Sequence, residues 1–282
     1  MIEATILIPA YNEAEVIGRT LQHLSRGLPM DRFRIVVIAN ACSDATASKA
    51  MSAQPRAMVV ETDTPGKCIA LNIGYQLAAK DKPVICLDAD LDVTSESLTA
   101  LIASLSEGSS HAACGQMDVR ANEATSLVRA YYKGWRTNPY FDKGKFGGLF
   151  ALSAQAAARL FPLPYLTADD EYIRRSLHRD EIAFVSNCRF TARAPKTLSS
   201  LVAVRRRSLR GARTITSMGL PSPETGSLGT VLKRAVHTPS IAFPILVYAC
   251  VNAWSRLSLF SNAMASENSG IWERDLTTRS AG

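Results

Sequence analysis

Apolar residues fall in short runs, each closed by a proline or a polar residue. Thr5–Ile8 stops at Pro9, Arg34–Ala39 (RIVVIA) at Asn40, Ala57–Val60 at Glu61, and Pro83–Leu87 (PVICL) at Asp88. Runs of this length and boundary predict strands, of the buried type at Arg34–Ala39 and Pro83–Leu87. Between them the period lengthens to that of a helix. Val16, Ile17, Leu21 and Leu24 predict one from Glu13 to about Leu24, and Ser43–Met51 gives a short one. Ile69, Ile73 and Leu77 predict a third from Lys67 to Ala79. A helix at Ser95–Leu105 and a strand at His111–Val119 continue the alternation. Strands alternating with helices of this length indicate βαβ units, hence an α/β fold with a mainly parallel sheet flanked by helices.

Such sheets bind ligands beyond the carboxyl ends of their strands, near a reversal of strand order. The polar clusters lie at those ends: Tyr11-Asn12-Glu13, Asn40 to Asp44, and Asp88 to Asp92. Composition agrees with a folded enzyme-sized chain. Of 282 residues 47% are hydrophobic and 20% charged, which excludes a disordered chain and is enough to bury a core without staples. The net charge of +7 is unevenly spread. Residues 1–100 carry nine basic and twelve acidic side chains; the rest carries twenty-three and thirteen. Ten Lys/Arg fall between Arg189 and Arg234 against one acid, Glu224. That block suits nucleic acid, anionic lipid or a phosphate-bearing ligand. The six cysteines form no CxxC pair and the four histidines are far apart. Reduced thiols in a cytosolic setting and no zinc site are therefore expected. The first residues have neither a basic nor a long apolar segment, so no signal peptide is read.

Four constellations carry candidate chemistry. Asp88-Ala89-Asp90 ends a buried strand, where two carboxylates could hold Mg²⁺ with the remaining positions left to a diphosphate. The plainer reading, a cap for the helix at Ser95, is weaker in that context. Pro65-Gly66-Lys67-Cys68 is not a P-loop, since position 61 is Glu and position 68 is not Ser or Thr. Lys67 sits at a helix start, where its charge opposes the dipole; that favours a ligand role over a solvated residue. Asp169-Asp170-Glu171 opens another helical pattern. Three acids there suit the dipole, but adjacent acids also raise one another's pKa, and one could serve as general base. Arg205-Arg206-Arg207-Ser208-Leu209-Arg210 is either a solvated face or a grip on a diphosphate. Ile241–Trp254 is apolar except for Asn252, contains Pro244 and is too short to cross a bilayer. It reads as a core helix or as a segment lying on a membrane surface.

In order, these residues resemble a family 2 glycosyltransferase of non-processive bacterial type. The resemblance rests on Ile8-Pro9-Ala10-Tyr11-Asn12-Glu13, Asn40 to Thr46, Gly66-Lys67 with Ala70-Leu71-Asn72-Ile73-Gly74, Asp88-Ala89-Asp90, Gly147-Gly148-Leu149-Phe150 and Asp169-Asp170. It implies a GT-A fold with a Rossmann-like sheet over residues 1–215, followed by a C-terminal helical extension at 216–282. It further implies that Pro9, Ala10, Tyr11, Glu13 and Asn40 hold the nucleotide and that Lys67 lies near it. By the same resemblance, Asp88, Ala89 and Asp90 meet the diphosphate, with Asp90 and Asp88 on Mg²⁺ or Mn²⁺. Arg207 and Arg210 would complete the donor site, and Asp170, with Asp169, would supply the catalytic base. Three departures stand out. Ala39-Asn40 replaces a common Asp-Asp, the acid pair is Asp-Asp rather than Glu-Asp, and the Gln-x-x-Arg-Trp motif of polymer synthases is missing around Arg207–Gly211. Trp272–Asp275 also matches the tails of some members.

The expected activity is metal-dependent, inverting transfer of one sugar from a UDP- or GDP-linked donor to a glycan or lipid-linked acceptor, in envelope or extracellular glycan synthesis. The expected place is the cytoplasm, peripheral at the inner face of the membrane if residues 241–254 lie on lipid. No nucleic-acid partner is expected. A sugar-phosphate nucleotidylyltransferase is the rival enzyme, although Pro9–Glu13 lacks the Gly-rich basic stretch it should have. A non-catalytic lipid or nucleic-acid binder is the third reading; it would have no need of the strand-end Asp-x-Asp.

Overall fold

The computed structural model describes residues 1–107, 110–221, 234 and 238–262. Trp272–Asp275, much of the 216–282 extension and part of the basic block lie outside them. The chain opens with β1 (Ala4–Ala10), α1 (Ile17–Ser25), β2 (Phe33–Asn40), α2 (Thr46–Ala53), β3 (Met58–Thr62), α3 (Lys67–Gln76) and β4 (Val84–Leu87). It continues through β5 (Asp92–Val93), α4 (Ser95–Glu107), β6 (Ala112–Arg120), α5 (Ser126–Trp135), β7 (Lys145–Leu152) and α6 (Ala154–Leu160). Then come α7 (Asp169–Arg175), β8 (Ile182–Arg193), α8 (Leu198–Ser217) and α9 (Ala242–Asn262).

The strands form one sheet in the order β3-β2-β1-β4-β7-β6-β8-β5. The first four are parallel neighbours, as expected from the βαβ pattern. Beyond β4 the sheet is mixed. β7 runs antiparallel to both β4 and β6, β5 runs antiparallel to β8, and only β6 and β8 pair in parallel. The expectation of a mainly parallel sheet therefore holds for one half. The order reverses at β1, whose neighbours are β2 and β4, and this switch opens the crevice beyond their carboxyl ends.

Alternate side chains of the inner strands feed two core layers. Ile6, Ile8, Ile35 and Val37 meet Leu21 of α1 and Leu98 of α4 on one face. Leu7, Val36 and Ile38 meet Leu71 of α3 and Ile173 of α7 on the other. A third cluster joins Val128 and Tyr131 of α5, Leu201 of α8, and Val247 and Val251 of α9. All six cysteines are unpaired. Burial pushes the thiols of Cys68 and Cys188 up to about 12 and that of Cys114 to about 11, which keeps them protonated.

Two boundaries differ from the sequence expectation for the same reason. The N–H of Glu13 donates to Thr46 Oγ1 (2.7 Å), and that of Ala14 to Asp44 Oδ2 (3.2 Å). These ties hold residues 11–16 as a loop, so α1 starts at Ile17 and α2 at Thr46. The third correction concerns α9. It does not stop near Trp254 but runs to Asn262; the polar side chains along it are satisfied within the helix, the hydroxyl of Ser255 donating to Val251 O (2.7 Å) and Asn252 Nδ2 to Tyr248 O (2.7 Å). At about 1.5 Å per residue, such a helix is long enough to cross a bilayer. Length therefore does not exclude a span.

Candidate active site

The loops after β1 and β2 are knitted into one rim. Asn12 has φ 51°, a left-handed conformation that its own side chain supports, since Oδ1 accepts from Ser43 N (2.7 Å) and Ser43 Oγ (3.3 Å). Ala41 takes φ 49° without such help, so backbone strain is concentrated at this rim. The Cys42 thiol donates to Ala10 O (3.4 Å) and accepts from Asn12 N–H (3.3 Å). Burial, more than the hydrogen bonds that oppose it, raises its pKa.

The residues expected to hold the nucleotide divide accordingly. Pro9 and Ala10 are buried within β1, Glu13 is buried behind the rim, and Tyr11 is half-buried on it. Asn40 is fully buried at the end of β2, and its amide is already engaged: Nδ2 donates to Thr64 O (2.6 Å) and Oδ1 accepts from Gly66 N (2.8 Å). Asn40 thus clamps the loop that presents Lys67. Nothing in this arrangement offers its side chain to a base.

Lys67 begins α3 at the centre of the crevice. Its Nζ lies 2.7 Å from Asp88 Oδ1 and 3.0 Å from Asp169 Oδ2. Burial works against its charge, but Asp169, Asp88 and Asp170 together hold its pKa well above the ordinary lysine value. Two further contacts of α3 bring Asp169 there. Asn72 closes a pair of bonds with Leu163, Nδ2 to O (2.9 Å) and Oδ1 from N (2.7 Å), and the Cys68 thiol donates to Leu166 O (3.3 Å). The segment entering α7 is thereby bound to α3. Burial pushes Asp169 up to about 6 despite the opposing pull of Lys67, with Asp170 and Asp88 adding to the rise.

Asp170 differs from its neighbour. Its side chain is partly exposed, Oδ1 accepts from Glu171 N (2.8 Å), and Oδ2 lies 3.9 Å from Lys145 Nζ. It faces β7 where Gly147 has φ 141°, a conformation suited to glycine; a Cβ there would stand 2.3 Å from Asp170 Oδ2. Asp88 N–H donates to the carbonyl of the adjacent Gly148 (2.8 Å). The two glycines therefore let Asp170 and Asp88 approach the backbone of β7 closely, on the crevice side of the sheet. Ala89 is buried, its carbonyl accepting from Thr20 Oγ1 (2.8 Å), and Asp90 is half-buried on the turn that follows. Asp92 stands apart from Lys67 and belongs to an ion-pair knot with Arg19 and Arg193, each at 3.0 Å. Burial would raise its pKa, but the two arginines overcome this and hold it below the usual range.

Among the described residues no group of three or more His, Cys, Asp or Glu could hold a metal. Two carboxylates, Asp88 and Asp90, at the crevice where strand order reverses still suit a hard cation that takes its other ligands from water and a diphosphate. The arginines come from α8. A Cβ on Gly211 would meet Ala168 Cβ at 2.5 Å, so this helix rests against the start of α7. Arg207, one turn before Gly211, shares that face, whereas Arg210 is more exposed.

Two contributors escaped the sequence reading. Lys145 is one basic residue in a β-strand of no distinctive pattern; only its place before the Gly-Gly pair hinted at a role. A cavity of about 230 Å³ between β6 and the end of α5, lined by Gln116, Met117, Asp118, Trp135, Arg136, Phe141 and Asp142, was also unforeseen. It adjoins the site because Gly115, just before Gln116, pairs with Lys145 across the sheet.

Comparison with known proteins follows this geometry. The family model of glycosyl transferase family 2 matches residues 5–161, more than half of the chain. No protein of curated function matches in sequence. Among solved structures, a mannosyltransferase from Pyrobaculum calidifontis, in complex with GDP-mannose and Mn²⁺, superposes with a TM-score of 0.61 at 18% identity. That match covers 95% of this chain and 77% of the other. Glucosyl-3-phosphoglycerate synthase from Mycobacterium tuberculosis, in complex with Mn²⁺, UDP and glucosyl-3-phosphoglycerate, gives 0.56 at 21%, covering 78% and 81%. Their folds carry the same mixed sheet with flanking helices as the GT-A architecture expected here. The nucleotidylyltransferase and the non-catalytic binder are thereby set aside: the chain belongs to glycosyl transferase family 2 and is a glycosyltransferase.

Proposed function

We propose that this glycosyltransferase moves a single sugar from a UDP- or GDP-linked donor to an acceptor hydroxyl, with inversion at the anomeric carbon. The observation that carries the reading is the meeting of Asp88, Lys67 and Asp169 at the switch point with Asp170 beside them. The permanently charged Lys67 lies where the donor diphosphate would enter. Asp169, buried and set against Lys67, positions that lysine and is closed to an acceptor. Asp170, partly exposed beside this cluster, is the base.

In one displacement the acceptor oxygen bonds to the anomeric carbon while the bond from that carbon to the diphosphate oxygen breaks. The hydroxyl proton passes to Asp170, and the electron pair of the broken bond leaves on the nucleoside diphosphate. Lys67, Arg207 and Arg210 are suited to meet that negative charge as it develops. A divalent cation held by Asp88 and Asp90, Mg²⁺ or Mn²⁺, would supply further neutralisation of the leaving group. Mn²⁺ in the solved complexes of both neighbours supports this assignment. The cavity lined by Gln116, Asp118 and Asp142, whose two carboxylates are paired with Arg189 and Arg234, would take a glycan acceptor, which would approach Asp170 past Lys145. Envelope or extracellular glycan synthesis would supply such acceptors. The missing Gln-x-x-Arg-Trp motif favours one transfer over polymerisation.

The test is a panel of UDP- and GDP-sugars with Mn²⁺, scored by thermal shift, by nucleoside diphosphate release and by the anomeric configuration of the product. A ligand that binds only the folded protein must raise its apparent stability. Metal-dependent stabilisation by one nucleotide class and an inverted product are expected. A retained anomer, or full activity in the presence of chelator, would overturn the mechanism.

A further inference from the structure

We propose that α9 docks the protein on an anionic lipid bilayer through its outward face, with the basic side chains of α5 and α8 flanking the contact. This inference is independent of the sugar-transfer chemistry. One side of α9 is packed: Ile245, Val247, Val251 and Leu259 are buried, Asn138 Nδ2 donates to Tyr248 Oη (3.1 Å) and Arg205 Nε to Asn252 Oδ1 (3.1 Å). The other side is also apolar but uncovered. Phe243, Leu246, Trp254 and Leu257 are between 59% and 70% exposed, and Cys250 is exposed with them. Steps of three or four residues put all five in one stripe along the helix. Elsewhere exposed large apolar residues are scattered, which is ordinary; a continuous stripe marks a contact surface.

Charge selects the occupant. α5, α8 and α9 pack on one another and contain eight Arg or Lys and no Asp or Glu. Even without Arg207 and Arg210, which serve the donor site, a second copy of this chain would bring six like charges against six. A nucleic acid would leave Phe243, Leu246 and Leu257 in water. An anionic bilayer satisfies both halves: it takes the apolar stripe into its interface, seats the amphipathic indole of Trp254 at headgroup level, and attracts the flanking bases. The stretch Pro239–Leu259 is long and apolar enough to cross a membrane. Its inner face, however, is committed. A Cβ on Gly134 of α5 would stand 2.2 Å from Pro244 O, so the two backbones are in close contact, and Asn252 is hydrogen-bonded across to α8. A helix held in this way lies on the surface.

The test is flotation of the full-length protein with phosphatidylcholine vesicles and with vesicles that also contain phosphatidylglycerol, at low and high salt. Binding is expected only to the anionic vesicles and should weaken with salt. Each flanking base near the surface strengthens binding about fivefold, so Lys133→Gln with Arg206→Gln should lose roughly 25-fold. Trp254→Ser with Leu257→Ser should lose at least about tenfold through lost apolar burial. Lys133, Trp254 and Leu257 are exposed and Arg206 is half-buried; unchanged melting temperatures verify that the variants are folded. Negligible binding to both vesicle types, or binding indifferent to salt, overturns the proposal. So does a wild-type dimer in sedimentation velocity that the Trp254/Leu257 variant converts to monomer, since the stripe would then belong to a second copy.

Discussion

Replacing Glu171 tests how the helix that carries the catalytic acids is held. Glu171 Oε1 accepts from Arg175 Nε (2.7 Å) and Arg174 Nη2 (2.9 Å), and Oε2 accepts from Arg174 Nε (2.9 Å). The Arg175 side chain is 1% exposed, bonds across to Thr216 Oγ1 (2.9 Å) and Ala212 O (3.4 Å) of α8, and has a buried Nη2 with no hydrogen-bond partner. Glu171→Ala strands that guanidinium. Breaking a buried pair by removing one partner costs about 3–5 kcal/mol. For a chain of this size about 2–4 °C is lost per kcal/mol, so a fall of roughly 6–20 °C is expected. Glu171→Gln keeps an acceptor for Nε and should fall less. Glu171→Ala combined with Arg175→Met removes both charges and should recover most of the loss. Scanning calorimetry from neutral to acid pH gives a second readout. Burial pushes the Glu171 carboxyl up, but Arg174 and Arg175 outweigh it and hold the pKa below the ordinary glutamate value. A depressed folded pKa adds stability that is complete above the unfolded value, about 4.3, and is lost as pH falls through the folded one. The gap between wild type and Glu171→Gln should therefore close in acid. A melting temperature for Glu171→Ala within 2–3 °C of wild type (about 1 kcal/mol), or a gap that does not change with pH, would refute the reasoning.

Three further outcomes follow from the same geometry. Asp90→Ala should abolish transfer and remove Mn²⁺-dependent stabilisation by the nucleoside diphosphate, read by thermal shift as the difference with and without metal. Gly147→Ala should destabilise by about 1–3 kcal/mol in a denaturant melt, because its φ suits glycine, and should lower kcat because its Cβ displaces Asp170 Oδ2. Gly134→Val should force α9 away from α5, lower stability by about 1–3 kcal/mol and speed amide exchange in residues 242–262, measured by mass spectrometry.

The first half of the fold was legible because β1, β2 and β4 are buried on both faces and stand out as apolar runs. The second half was not. β8 spans Ile182–Arg193 with exposed Ser186, Asn187 and Arg189 among buried Val185, Cys188 and Phe190, and its register with β6 shifts after Gly115. That irregularity breaks the alternation by which a strand is recognised. The start of α1 was misplaced because Thr46 and Asp44, 33 and 30 residues away, take the backbone N–H groups that a helix start would leave open. Asp88 and Asp169-Asp170 were legible as acids at element ends. Their connection through Lys67 was not, since it depends on the Asn72–Leu163 bonds between distant segments. Asn40 could be recognised as important in sequence, but its role as a clamp on Thr64 and Gly66 appears only in three dimensions.

The division of labour within the acid pair is the central claim, and one kinetic comparison tests it. Asp170→Asn and Asp169→Asn are compared for donor affinity by calorimetry and for single-turnover transfer. Asp170→Asn should bind donor nearly as wild type and transfer about 10²–10⁴-fold more slowly, the usual contribution of a general base. Asp169→Asn should instead weaken donor binding, because it releases Lys67 from a partner 3.0 Å away, and should keep a larger share of the turnover rate. Transfer by Asp170→Asn within a few-fold of wild type, with Asp169→Asn inactive at saturating donor, would contradict the account.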